Sequence, residues 1–164
     1  MNPFDALVRH FADLRDGTHG TATDRAGKET LFAAAVRHLD PVAAGVLEEV
    51  NRHLLLGTGE IAATGLRSDP GGLIAQWTVS WPEQRATGLP PLALIAHYGQ
   101  GFHHPHLRGV TVKDWPFNVF SAEDAATQAP TLRAIITGDL HNLVFQRDFR
   151  IVPVTARGRS EIHS

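Results

Sequence analysis

Leu73-Ile74-Ala75-Gln76-Trp77-Thr78-Val79-Ser80-Trp81 is the stretch whose reading decides the fold class. Leu73, Ala75, Trp77, Val79 and Trp81 alternate with Ile74, Gln76, Thr78 and Ser80, the two-residue period of a half-buried strand. Upstream, Ser68-Asp69-Pro70-Gly71-Gly72 is a turn signal that joins this strand to a preceding one over Glu60 to Leu66. Downstream, Leu92, Leu94, Ala96 and Tyr98 alternate again and give a third strand. None of the connections holds a crossover helix, so the three strands form an antiparallel meander.

Further out the period becomes helical. Asn2-Pro3 caps and starts a helix over residues 3 to 15, in which Phe4, Leu7, Val8, Phe11 and Leu14 recur at helical spacing. Asp16 to Ala26 reads as a loop. Leu31, Phe32, Ala35 and Leu39 mark a second helix. Asp40-Pro41 is expected to end it and cap a third, with Val42, Val46, Leu47, Val50 and Leu54 on one face, stopped by Gly57 and Gly59. Ser121 opens another helix with Glu123 and Asp124 in its first turn, and Pro130 breaks or restarts it, with Thr131 as cap. The stripe Leu132, Ile135, Ile136, Leu140, Leu143 and Val144 follows. Phe149 to Val154 reads as a short final strand, and the polar tail from Ala156 as frayed. The expected fold is therefore α+β, with N-terminal helices packed on an antiparallel meander, then a long C-terminal helix and a short strand.

The 164 residues fit a single domain, and a core can form without metal or disulfide staples. A net charge of -2 supplies no long-range field to attract nucleic acid or an anionic membrane. The chain has no cysteine, which excludes disulfides, thiolate nucleophiles and thiolate metal sites. Its first residues lack the pattern of a secretory signal, and no apolar run approaches a membrane span, so the expected location is the cytoplasm. The expected partners are a small-molecule ligand and, for assembly, a second copy of the chain.

The 10 histidines are unevenly placed. Four fall within His97-Tyr98-Gly99-Gln100-Gly101-Phe102-His103-His104-Pro105-His106. Neutral imidazole is a ligand for zinc, iron, nickel and copper. Pro105 favours extended backbone at His104, so His104 and His106 should point one way and His103 the other. His97 lies on the strand face opposite Leu92, Leu94 and Ala96, and the glycine loop lets the chain fold it back toward that pair.

The expected ligand set is thus His104 and His106, with His97, then His141, then Glu83 as the third group. Asp139 falls at the edge of the apolar helical stripe, where a carboxylate needs a partner or a cation. His103, Asp139 and Glu83 are the candidates for moving protons. Arg85 and Arg108 are candidates for holding an anionic substrate. Tyr98, Trp115 and Phe117 are the expected apolar walls of the pocket.

His104-Pro105-His106 resembles the His-Pro-His of the galactose-1-phosphate uridylyltransferase branch of the histidine-triad superfamily. That resemblance implies nucleotidyl transfer with His106 as nucleophile. This chain has Leu107-Arg108 where the family has Gly-Gln. Three functions stay open: a small metal-dependent enzyme acting on a small, anionic molecule, metal-free histidine catalysis, or a ligand-binding or interaction domain without turnover.

Overall fold

The computed structural model describes residues 2–156. Its centre is β3 (Gly72–Ser80), antiparallel to β4 (Leu92–Gly99), with Ile74 opposite His97 and Trp77 opposite Leu94. Along β3 the alternation places Ala75, Trp77 and Val79 in the core, and Trp81 is buried just beyond its end. On the outer side of β3 lie β1 (Glu60–Ala63), shorter than the strand expected over Glu60 to Leu66, and β2 (Arg67–Asp69), which reaches into the expected turn. Gly65, at φ 68°, takes the left-handed turn that interrupts them. Beyond β4 the sheet continues through β5 (His106–Arg108) and β6 (Trp115–Pro116), all antiparallel. The α+β architecture and the meander are as the sequence implies.

The helices are α1 (Pro3–Asp16), α2 (Arg25–His53), α3 (Pro82–Ala86), α4 (Ala122–Thr127) and α5 (Ala129–Gln146). α2 and α5 pack on the sheet through β3 and β4, and α4 packs against α2. Three expectations need correcting. First, the expected second and third helices are one continuous α2, with Pro41 inside it. Phe32, Ala35, Val36 and Leu39 before the proline and Ala43, Val46, Leu47 and Val50 after it are buried on one stripe. Their burial outweighs the roughly 3 kcal/mol that an interior proline costs a helix. Asp40 is not a cap, because its carboxylate accepts from Trp77 Nε1 at 2.8 Å. By length and composition α2 could cross a membrane, yet here its apolar stripe is the core of the domain.

Second, the final strand is absent. Phe149–Ile151 is a 3-10 turn, with the Asp148 side chain accepting from Arg150 N. Trp81 Nε1 takes the Ile151 carbonyl at 2.6 Å, and Pro153 has no N–H to give a ladder. The fraying expected of the tail concerns residues that, apart from Ala156, lie outside those described.

Third, α1 presents its apolar stripe outward. Phe4 is 79% exposed and Phe11 59%, while His10 is the buried residue of the helix. Asn2 caps α1 as expected, accepting from Asp5 N. Pro130 restarts α5 in its first turn, but the flanking cap is Gln128 rather than Thr131.

Candidate metal centre

The buried side of α1 carries His10 and Asp13, three residues apart and therefore on one face of the helix. Gly17, at φ 70°, ends α1 and turns the chain back, and a short bridge between His19 and Ala22 fixes the next turn. The segment before β5 arrives from the other side. Arg25 in the first turn of α2 donates to the carbonyls of Tyr98, Gly99 and Phe102, and Lys28 Nζ donates to that of His103 at 3.3 Å. These bonds, with Phe117 N on the Pro105 carbonyl, set His104 against α1 and its exit loop.

Asp13, His19 and His104 meet there. One ligand atom from each lies within 4.8 Å of the other two. His19 and His104 are 0% and 1% exposed. Five atoms in this spot are buried with no hydrogen-bond partner among the described residues: His10 Nδ1, Asp13 Oδ2, both nitrogens of His19, and His104 Nδ1. Orphaned polar atoms are rare in a protein interior, and leaving one unmatched costs about 1–3 kcal/mol.

Thr18 organises the group. Its hydroxyl donates to Asp13 Oδ1 at 2.8 Å, and its carbonyl accepts from His104 Nε2 at 2.6 Å. A carbonyl only accepts, so Nε2 carries the His104 proton and Nδ1 keeps a lone pair. A second nitrogen tied to a backbone carbonyl is the usual arrangement of a metal-bound histidine. Burial lowers the pKa of His10, His104 and His106 below the ordinary imidazole value, and brings that of His19 to about 4. The charge of Lys28 pushes His19 and His104 the same way. Neutral imidazoles are the form that binds metals.

The other histidines extend outward from this group. His10 contacts the rings of His104 and His106 at 5.0 and 5.5 Å between centroids, so both approach α1 while His103 is exposed. His106 donates from Nδ1 to the His104 carbonyl and stacks on His97 at 5.9 Å. His97 Nε2 lies 3.2 Å from Asp114 Oδ1. Neither His97 nor His106 joins the three-residue group, whereas the sequence expectation placed both beside His104 in the ligand set. His141 is on α5, bonded to Asn142 and stacked on Phe145.

Asp139 is not poised for proton transfer. Fully buried, it accepts from the backbone N–H groups of Val110, Thr111 and Val112 and from the Thr111 hydroxyl. Its lone pairs anchor the loop after β5. Glu83 and Arg85 sit on α3, past the end of β3 farthest from Ile74 and its partner His97, about 20 Å along the strand. Arg85 there donates to Ser80 Oγ. Arg108 donates to the Gly109 carbonyl.

The aromatic walls are also placed elsewhere. Tyr98 is buried under the Arg25 guanidinium, and Phe117 is in the core against Phe32. Trp115 lines a separate apolar cavity with Leu107 and Ile135. The phenyl rings beside the histidines of this cluster are Phe120 on His19, Phe11 on His10, and Phe102 on His97 and His106.

Sequence reasoning passed over His10, Asp13 and His19. The one available signal was the three-residue spacing of His10 and Asp13 opposite the apolar stripe of α1. No known protein-family model, curated protein or solved structure matches this chain, so the His-Pro-His resemblance rests on its three residues.

Proposed function

We propose that the chain is a small metal-dependent enzyme whose ion is held by Asp13, His19 and His104. The observation that carries this reading is the convergence of buried, unpartnered imidazole and carboxylate atoms on one point. A single cation would take one atom each from Asp13, His19 and His104, and the Thr18 carbonyl already orients one ligand as a metal requires. Two imidazoles and one carboxylate suit zinc or iron(II) and leave coordination positions for substrate. A bound dication would supply Lewis-acid chemistry at those positions.

The charges around the site favour an anionic substrate. Lys28 and Arg9 both act on His19, and together with a dication they outweigh the single carboxylate of Asp13. Lys28 is buried, so its attraction for an anion is weakly screened. His10, with Nδ1 unpartnered beside His104, is placed to take a proton from the reacting group.

The test is metal analysis of untagged protein, followed by zinc titration after chelation. Stoichiometric zinc or iron is expected, with binding lost in His104→Ala and Asp13→Asn and kept in His141→Ala. Wild-type protein with no affinity for either ion, or unchanged binding in His104→Ala, would overturn the proposal.

A further inference from the structure

A second site lies at the N-terminal end of α1, in the cleft that this helix forms with β6, α4 and α5. It contains an apolar cavity of about 370 Å³, walled by Leu107, Val112, Trp115 and Ile135. Pro3, Trp115 and Thr131 are common to this cavity and to a smaller, more polar one of about 120 Å³. Asn118 and Gln128 line the polar end. Asn118 Nδ2 and Gln128 Oε1 are buried there, and neither has a hydrogen-bond partner among the described residues. One is a donor and the other an acceptor, and their terminal amide torsions are soft enough to turn toward a ligand.

From this arrangement we infer that the cleft binds an uncharged apolar molecule ending in a carboxamide. The ligand's carbonyl would accept from Asn118 Nδ2, its N–H would donate to Gln128 Oε1, and its hydrocarbon body would fill the cavity beside Trp115. A carboxylate would satisfy Asn118 and set a negative charge against the Gln128 carbonyl. The Arg9 guanidinium lies over the Phe120 ring, and Asp124 accepts from Phe120 N. An apolar pocket with a few polar atoms at one end is the usual form of a small-molecule site. This inference is independent of the metal proposal, since none of the three candidate ligands lines the cleft.

Phenylacetamide and phenylacetate have the same shape and differ in the group that should be read. Titration of the full chain, followed by tryptophan fluorescence and ligand-observed NMR, should show saturable binding of phenylacetamide, at least tenfold tighter than phenylacetate. Asn118→Leu and Gln128→Leu should each remove the preference. Ala134→Trp, at an exposed position on the rim of the cavity, should block both ligands without disturbing the fold. Thermal melting of each variant confirms folding. Equal affinity for acid and amide, no saturable binding to the wild type, or a preference that survives in a folded Asn118→Leu chain would each overturn the inference.

Discussion

The buried Asp139 and the half-buried Asp13 face opposite situations. Asp139 is surrounded by donors from the loop after β5, all supplied by the protein itself. Asp13 has one oxygen held by Thr18, while the other is buried with no partner beside imidazole nitrogens in the same state. A saturated buried carboxylate holds a loop in place. An unsaturated one among imidazoles in the same state is what the proposed ion would complete. The two carboxylates differ in their hydrogen-bond complement, not in residue type.

The largest effect is expected on the saturated side. Asp139→Ala strands several donors at once and should lower stability by about 4 kcal/mol in urea denaturation, with zinc binding to the folded protein unchanged. A loss below about 1 kcal/mol would break the comparison, because the Asp139 bonds would then carry little.

The next effect comes from the unsaturated side, in chelator-treated protein. Because the folded pKa of His19 is lowered to about 4, the unfolded chain binds a proton between about pH 6.5 and pH 4 that the folded chain refuses. Stability is therefore fully present above about pH 6.5 and falls as pH drops toward 4, by about 3 kcal/mol from this residue. His10, His104 and His106 are shifted in the same direction and steepen the loss. Denaturation midpoints across that range should show the slope, and His19→Phe should flatten it. An unchanged slope in that variant would remove His19 from the contrast.

Zinc itself gives a third measure. At a hundredfold excess over Kd it should stabilise the wild type by about 2.7 kcal/mol, His141→Ala equally, and His104→Ala not at all. The finest test is Thr18→Val, which removes the hydroxyl on Asp13 and keeps the carbonyl on His104. It should cost about 1 kcal/mol of stability and about tenfold in zinc affinity. No change in affinity would mean that Thr18 does not orient the ligands.

What was legible in the chain follows the range of the forces involved. The alternation from Leu73 to Trp81 could be read because a strand with one buried face writes its period into adjacent residues. Pro41 misled because a local rule was outweighed by burial along the full length of α2. β5 and β6 are too short to carry a period at all. Within the site, the density of histidines drew attention to His104, but neighbouring density also promoted His97 and His106, whose rings stack on each other outside the group of Asp13, His19 and His104. Asp13 and His19 lie in the first turns of the chain, and their meeting with His104 is a product of tertiary packing. Asp139 showed its burial in the helical stripe, while the donors that occupy it come from a loop with no pattern of its own.

The outward stripe of α1 has a consequence for how the molecule is put together. Among the described residues none before Phe32 belongs to the hydrophobic core, so the apolar burial that holds the domain starts in α2. α1 rests on that body by its polar side, through groups that include unpaired ones. Elements with little apolar burial open at small free energy, ahead of global unfolding. Amide hydrogens of α1 should thus exchange well before those of β3 and β4, and a bound ion would slow that exchange selectively. The chemistry proposed here is carried by an appended helix laid over a core that is complete without it.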